Sequence, residues 1–359
     1  MGKWNIGWGT ISACNMNCQF CYSKNKRKDS HDLKYEDWVR FIEENHNQIN
    51  TINYGTGENA LSLDWFKLVD YIRKSHPNIR QAVTTNGYLS EATLNKYCLD
   101  IFINAIDEID VSLDFCDKKN HVEFRGQPEA YKWAINTLKL CQQYNKQTTI
   151  VFLGSKKNVT KDNIDGLFEI AKKYSAILRM NMYRPTEGLN DKSREFIIEN
   201  DVFVNAIKYI AEKYQIISLN DALFSTIFTG ETVADPSGDR SIRILPDGNI
   251  TPSTYLIDKN FIVGNIREKN VLSRLDNDGK LESIILRKIP EECNECVYKE
   301  TCAGGVIDRR YLWYGNLNRK DPYCQHIYRE KIKERISINK ADFSSVHDGY
   351  LPTIFFRPK

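Results

Sequence analysis

Apolar and polar positions alternate with two different periods along the first half of the chain. Short runs rich in β-branched and aromatic residues predict strands, and longer stretches with apolar residues three or four positions apart predict helices. The predicted strands are 4–10, 51–54, 81–84, 109–113, 148–152 and 177–182, and the predicted helices are 35–44, 63–74, 91–97, 129–144 and 162–174. This regular alternation predicts an α/β fold built from βαβ units around a parallel sheet.

The pattern changes in the second half of the chain. Residues 191–214 have helical periodicity, and the Gly-, Pro- and Asp-rich residues 230–240 predict a linker. Two short β-type runs, 241–245 and 249–251, flank the sequence Pro-Asp-Gly, which favours a tight turn. These runs therefore predict a hairpin.

Composition sets broad limits. The 359 residues suit a barrel-sized domain plus an extension. Lys and Arg number 50 against 47 Asp and Glu, so net charge gives no reason to expect a nucleic-acid partner. The first residues lack the apolar segment of a signal peptide, and no run of apolar residues is long enough for a membrane span. We therefore expect a cytoplasmic protein without membrane partners.

Seven of the ten cysteines fall in two tight groups, which indicates metal ligation in a reducing compartment rather than disulfide bonding. The first group, Cys14, Cys18 and Cys21, follows the first predicted strand with C-x3-C-x2-C spacing. Three thiolates can hold three irons of a 4Fe-4S cubane and leave the fourth iron open for another ligand. A three-cysteine zinc site and a structural thiol group are the alternatives.

This spacing, with Phe20 before the third cysteine, resembles the cluster loop of the radical S-adenosylmethionine (SAM) superfamily. The resemblance implies a partial (β/α)6 TIM-like barrel and a 4Fe-4S cluster whose open iron is chelated by SAM. It also implies that one electron cleaves SAM to methionine and a 5′-deoxyadenosyl radical, which abstracts a substrate hydrogen. An external one-electron reductant such as flavodoxin or ferredoxin is then an expected partner.

Further motifs of this family fall at the C-terminal ends of predicted strands, where barrel enzymes keep their chemistry. Residues 56–59, Thr-Gly-Glu-Asn, resemble the family's Gly-Gly-Glu-Pro motif, which receives the methionine amino group. Residues 85–87 and 112–114, with the Arg-Gly that follows, also resemble family patterns, and they place Ser112 and Arg125 at the SAM carboxylate. The cofactor-binding residues implied by the resemblance are Phe20, Gly57, Glu58, Asn86, Ser112 and Arg125.

The chain departs from the family pattern after the Ser-Leu-Asp sequence. The family usually has Gly at the next position, whereas this chain continues with Phe115 and Cys116. This position predicts a thiol beside the cofactor cavity. By resemblance to some radical SAM epimerases, Cys116 is a candidate catalytic residue that donates a hydrogen atom to a substrate radical. The alternative is a buried cysteine that acts as a small apolar side chain.

The second group, Cys293, Cys296, Cys302 and Cys324, resembles the C-terminal SPASM module of many radical SAM enzymes. Four thiolates can close a 4Fe-4S cluster completely. SPASM modules with a further cluster have cysteines at positions occupied here by Ser253 and Val306. We therefore expect one auxiliary 4Fe-4S cluster and about eight irons per chain in total. A four-cysteine zinc site is the alternative.

Together these patterns predict a four-part chain. In the tail, the apolar Ile354-Phe355-Phe356 is expected to dock onto its own domain rather than meet a partner. The expected segments are a radical SAM partial barrel (1–190), bridging helices and a linker (191–240), a small SPASM/twitch-like auxiliary-cluster domain (241–335) and a C-terminal tail (336–359).

SPASM-type enzymes mainly modify peptides and proteins, so the resemblance favours maturation of a ribosomally made peptide through a crosslink, thioether or epimer. The cluster motif begins close to Met1, so we expect a peptide to bind along the barrel or to be presented by a partner protein. A radical SAM dehydrogenase, epimerase or rearranging enzyme acting on a sugar, amino acid or tetrapyrrole is the second hypothesis. A non-catalytic iron-sulfur protein for electron transfer is the third.

Overall fold

The computed structural model describes residues 3–28, 31–231, 233–277, 279–285, 289–324, 335–340 and 343–359. The strands are β1 (Trp4–Trp8), β2 (Ile49–Tyr54), β3 (Arg80–Thr85), β4 (Glu108–Ser112), β5 (Gln147–Gly154), β6 (Ile177–Met182), β7 (Gln215–Leu219), β8 (Ser241–Ile244), β9 (Asn249–Thr251), β10 (Gly264–Asn265) and β11 (Ile354–Arg357). The α-helices are α1 (Lys24–Lys28), α2 (Tyr35–Asn45), α3 (Leu63–Ser75), α4 (Leu89–Ala92), α5 (Lys96–Ala105), α6 (Lys118–Arg125), α7 (Ala130–Gln143), α8 (Lys161–Lys173), α9 (Asp191–Arg194), α10 (Asn200–Lys213), α11 (Ala222–Thr229), α12 (Val271–Leu275), α13 (Lys280–Ile285), α14 (Lys299–Cys302) and α15 (Ile307–Tyr314). Single 3-10 turns lie at His46–Gln48, Asn59–Leu61, Lys259–Phe261, Glu291–Cys293 and Pro322–Cys324.

All these strands belong to one sheet with the order β10-β9-β8-β1-β2-β3-β4-β5-β6-β11-β7. Strands β1 to β6 pair in parallel and in sequence order, which confirms the six predicted strands and their βαβ arrangement. Strands β8 and β9 form the predicted antiparallel hairpin. Strand β8 also pairs in parallel with β1, so the sheet continues across residue 240. The four-part division of the chain remains a prediction.

Strand β11 lies between β6 and β7 and is antiparallel to both. Ile354, Phe355 and Phe356 are at most 1% exposed, so the tail docks onto its own domain, as expected. Among the described residues, no helix combines the length and the apolar character needed to cross a membrane.

The helix predicted at 91–97 is wrong. Helix α4 ends at Ala92, and α5 begins at Lys96 because the Asn95 side chain caps it by accepting a hydrogen bond from the Tyr97 amide at 2.9 Å. Helix α11 escaped the sequence analysis for another reason. All eight of its residues are buried, so it has no polar face from which a helical period could be recognised.

Candidate active site

A cavity of about 210 Å³ lies at the C-terminal ends of the parallel strands. Its lining comes from the loop after β1, the turn after β2, and the ends of β3, β4, β5 and β6. These ends meet at one edge of the sheet because the strands are parallel, so motifs far apart in sequence are brought together here.

All three cysteines of the first group line this cavity. Polar contacts hold the loop in place from three sides. Arg27 Nη2 lies 3.9 Å from Cys21 Sγ, Asn86 Nδ2 lies 3.9 Å from Cys14 Sγ, and Cys18 Sγ lies 3.4 Å from the Arg125 carbonyl oxygen. Burial raises the pKa of the Cys14 thiol to about 11, so this side chain is a neutral thiol until a metal displaces its proton.

Gly57 fixes the distance between the cysteine loop and the turn after β2. Its φ angle is +70°, and a Cβ atom there would lie 2.5 Å from the carbonyl oxygens of both Ile11 and Ala13. The Glu58 amide donates to the Ala13 oxygen at 2.9 Å. The residue just before Cys14 is therefore held against a backbone that only glycine can provide.

Thr56 also has a positive φ angle, +79°, although it is a buried β-branched residue. Its hydroxyl makes a 2.9 Å hydrogen bond with the Tyr22 hydroxyl and accepts another from Arg243. The first Gly of the family motif is thus replaced by a threonine that keeps the left-handed backbone. Side-chain hydrogen bonds offset part of the steric cost of about 1–2 kcal/mol.

Glu58 lies behind the cavity wall rather than in it. Its carboxylate accepts hydrogen bonds from the Asn86 amide at 2.7 Å and from the Thr85 hydroxyl at 2.9 Å. Burial raises its pKa to about 7, although these two hydrogen bonds favour the ionised carboxylate and lower the pKa. Asn86 does line the cavity, and its Nδ2 donates to Asn15 Oδ1 at 2.7 Å. The Glu58 carboxylate therefore fixes Asn86, which in turn holds the cysteine loop.

Ser112 and Arg125 both line the cavity, at the end of β4 and in the last turn of α6. Arg125 Nε donates to Asp114 at 2.6 Å, and its guanidinium carbon lies 5.1 Å from the centre of the Phe20 ring. Asp114 is fully buried and also accepts the Leu153 amide at 2.8 Å. These contacts hold the guanidinium in one position before any ligand binds.

The structure does not bring Cys116 to the cavity. A Cβ atom on Gly166 of α8 would lie 2.4 Å from Cys116 Sγ, so the thiol packs against that helix. The Cys116 amide donates to Asn163 Oδ1 at 2.9 Å, and its carbonyl accepts the Tyr131 hydroxyl at 2.9 Å. Its role as a hydrogen-atom donor stays an untested prediction, and this placement favours packing.

Sequence reasoning missed a second wall of the cavity, supplied by β6 and the residues after it, by β8 and its hairpin, and by the tail. It is lined by Arg179, Asn181, Arg184, Arg243, Tyr255, His347, Tyr350 and Leu351. A signal was available at one position, since Arg179 interrupts the apolar run of β6. The tail carries no comparable signal, because its residues reach the cavity only through the insertion of β11 into the sheet.

The second cysteine group lies in the C-terminal part of the chain. Cys293, Cys302 and Cys324 are buried, and Cys296 is half-buried. Burial, reinforced by the Asp321 carboxylate, raises the pKa of Cys302 and Cys324 to about 12. Each described cysteine is a free thiol.

Comparison with known proteins identifies one domain. Residues 9–171 match the model described as the radical SAM superfamily. This part of the chain is a radical SAM domain. Mycofactocin maturase MftC of Mycobacterium tuberculosis (strain CDC 1551 / Oshkosh) is 22% identical over 344 residues, which cover 92% of this chain and 85% of that protein. The AdoMet-dependent heme synthase of Methanosarcina barkeri (strain Fusaro / DSM 804) is 24% identical over 353 residues, with coverage of 90% and 96%.

Among solved structures, Streptococcus suis SuiB bound to its precursor peptide SuiA has a TM-score of 0.68 and 18% identity. The match covers 90% of this chain and 76% of SuiB, and at this identity it shows the fold alone. The chain thus has the partial barrel of radical SAM enzymes, and this fold implies a 4Fe-4S cluster and SAM. The residues present fit both groups, since three thiols surround one cavity and Gly57 leaves the space needed for their loop.

Proposed function

We propose that this radical SAM enzyme modifies a ribosomally made peptide or protein. The observation that carries the proposal is the convergence of Cys14, Cys18 and Cys21 with Asn86, Ser112 and Arg125 on one cavity. When bound, the cluster and SAM supply a 5′-deoxyadenosyl radical that abstracts a hydrogen atom from the substrate.

The chain's own residues have distinct roles in this proposal. The three thiols hold the cluster, and Arg27 and Asn86 donate toward two of its sulfur ligands. Ser112 and Arg125 bind the SAM carboxylate, because a guanidinium fork suits a carboxylate and Asp114 already fixes its orientation.

Gly57, Asn86, Glu58 and Phe20 complete the cofactor site. Gly57 and Asn86 contact SAM from the cavity wall, while Glu58 acts behind them as a positioning residue for the Asn86 backbone. Phe20 lies under Arg125 and stacks on Phe124 with ring centres 4.3 Å apart. This stacking excludes water from one side of the guanidinium and strengthens its interaction with an anion.

A peptide substrate is supported by the relatives and by a second cavity. Mycofactocin maturase is named as a maturase, and SuiB binds a precursor peptide. A larger cavity of about 640 Å³ shares Phe20, Cys21 and Tyr183 with the first one. In this proposal an extended substrate lies along this second cavity, and it binds there either alone or presented by a partner protein.

We further propose one auxiliary 4Fe-4S cluster at Cys293, Cys296, Cys302 and Cys324, for electron relay or for bracing the fold. The positions where a further cluster would need cysteines are already occupied. Ser253 Oγ donates to Asp308 at 3.0 Å, and Val306 is fully buried. Replacement of the four cysteines should lower the iron content from about eight to about four per chain. Zinc in place of that iron would contradict this assignment.

A small-molecule substrate is the second candidate, because the relative from Methanosarcina barkeri is named as a heme synthase and matches over 96% of its length. The two candidates separate in one assay. The reduced, reconstituted enzyme is incubated with SAM and with short peptides encoded beside its gene, and each peptide is examined by mass spectrometry.

A loss of two hydrogens from a peptide, or incorporation of one deuterium from heavy water, would confirm peptide maturation. Radical formation that is stimulated by a sugar, amino acid or tetrapyrrole while every peptide stays unmodified would favour the second candidate.

A further inference from the structure

The charged side chains that line the active-site cavity are predominantly basic. Among the described residues that line it, five are arginines and none is Asp or Glu. Arg27 and Arg125 lie on the side of the cysteine loop, where the three thiolates and the SAM carboxylate are expected. Arg179, Arg184 and Arg243 belong to the wall supplied by β6 and the residues after it, by β8 and by the tail, and they are the subject of this inference.

Two of these three arginines have buried acidic partners behind the wall. Arg179 Nη2 lies 3.0 Å from Asp110, and Arg184 Nε lies 2.6 Å from Asp308. Each pair is therefore balanced charge for charge.

Arg243 has no such partner. It is 1% exposed, and among the described residues it contacts only neutral groups: the Gly55 carbonyl, the Thr56 hydroxyl and the hydroxyls of Tyr22 and Tyr350. An isolated buried charge is strongly destabilising, so one uncompensated cation in a cavity wall indicates an anion that arrives with the ligand.

Hydrogen-bond donors on the same wall are also unused. Arg243 Nε, Arg184 Nη2, and both Nε and Nη1 of Arg179 have no hydrogen-bond partner among the described residues. Buried guanidinium nitrogens are usually paired, so each unpaired donor is a destabilising feature of the wall.

Aromatic contacts join the wall into one surface. Arg243 Nη2 lies 3.3 Å from the Tyr22 hydroxyl, Tyr22 contacts Tyr255 with ring centres 5.4 Å apart, and the Arg184 guanidinium carbon lies 4.5 Å from the Tyr255 ring. The fork of Arg243 and that of Arg184 are thus held at two ends of one aromatic unit. This rigid arrangement suits recognition of a planar anion.

We infer that this wall, with Arg243 at its centre, binds a carboxylate of the substrate and so orients it toward the reacting centre. The inference rests on the proposed function for the identity of the cavity and adds the chemical class of the substrate. A carboxylate matches the single surplus charge of Arg243, whereas a phosphate monoester carries about −1.5 to −2 at neutral pH.

The SAM carboxylate is the competing occupant. It is assigned to Ser112 and Arg125, of which Arg125 contacts the cysteine loop through its carbonyl oxygen. Removal of Arg243 should therefore weaken the binding of a carboxylate substrate and leave the binding of SAM unchanged.

Three matched probes test the inference and separate two sources of the carboxylate. They are N-acetylglutamate α-amide, with a side-chain carboxylate, N-acetylglutamine, with a C-terminal carboxylate, and N-acetylglutamine amide, with neither. Each is titrated calorimetrically into the unreduced, reconstituted holoenzyme with saturating SAM. We expect at least one acid to bind on the order of tenfold more tightly than the neutral amide, as for a charge-assisted hydrogen bond. Equal binding of all three probes to the wild type would overturn the inference without any variant.

Variants then locate the site. Arg243→Gln should abolish the preference for the acid, Arg243→Lys should retain part of it, and Arg267→Gln, a change at an exposed arginine, should leave it intact. Persistence of the preference in Arg243→Gln would overturn the assignment, as would loss of SAM binding in that variant. Formation of 5′-deoxyadenosine is measured on portions of the same samples after reduction with dithionite. Its absence alongside intact carboxylate binding would refute the radical chemistry and leave the carboxylate site standing.

Discussion

Replacing Gly57 by alanine should destabilise the protein through two separate costs. One is the backbone cost of a side chain at positive φ, and the other is the contact of the new Cβ atom with the carbonyl oxygens of Ile11 and Ala13. Gly315 supplies a matched control. Its φ angle is +71°, against +70° for Gly57, but nothing lies within 4 Å of a Cβ atom built there.

The magnitudes follow from these two environments. A Cβ atom at positive φ costs about 1–2 kcal/mol, of which the stiffer unfolded chain offsets about 0.4–1 kcal/mol. Gly315→Ala should therefore lower the free energy of unfolding by about 1 kcal/mol. Gly57→Ala adds about 1–3 kcal/mol for overpacking, because two backbone oxygens 2.5 Å away must move. Ala13 directly precedes Cys14, so this movement also displaces a cluster ligand.

Urea unfolding of both variants and iron analysis after anaerobic reconstitution measure the two effects. We expect Gly57→Ala to be the less stable variant and to lose about four of about eight irons, while Gly315→Ala keeps the full content. Equal stability and equal iron in the two variants would refute the argument that Gly57 sets the position of the cysteine loop.

Three further predictions concern other parts of the molecule. Burial raises the pKa of Glu58 from 4.5 to about 7, so its contribution to stability is present below pH 4.5 and is lost as the pH rises through 7. The free energy of unfolding of the cluster-free wild type, minus that of Glu58→Gln, should therefore fall by up to about 3 kcal/mol between about pH 5 and pH 8. Urea unfolding at several pH values measures this difference, and a difference that does not change with pH would contradict the raised pKa. Phe356→Ala should lower the free energy of unfolding by about 3–5 kcal/mol because the ring is fully buried in β11, whereas Lys359→Ala should change it by less than about 0.5 kcal/mol; similar urea midpoints would refute the docking of the tail. Cys116→Ala should keep full turnover and the same product by mass spectrometry, since its thiol faces Gly166, and a changed product would restore it as a hydrogen-atom donor.

The sequence was informative where function depends on local motifs. Cys14, Cys18 and Cys21, the turn at Gly57 and the position of Ser112 all lie at strand ends that the apolar pattern predicted. Parallel pairing of consecutive strands then brings them to one edge without further information.

The second wall of the cavity, which contains Arg243 and His347, depends on long-range pairing that no local pattern encodes. Arg243 reaches the cavity because β8 pairs with β1, and His347 reaches it because β11 enters the sheet between β6 and β7. Cys116 shows the reverse error. Its position next to a motif predicted proximity to the cavity, but the chain turns after Asp114 and directs the thiol toward α8.

The central claim is that the three N-terminal cysteines support radical chemistry in the cavity they line. The most direct test is formation of 5′-deoxyadenosine from SAM and dithionite after anaerobic reconstitution, in wild type, in Cys14→Ala/Cys18→Ala/Cys21→Ala and in the control Cys98→Ala. We predict the nucleoside from wild type and from Cys98→Ala, and none from the triple variant. If iron-loaded wild type forms none, with or without peptide, the claim is contradicted and an electron-transfer role becomes the better account of the two cysteine groups.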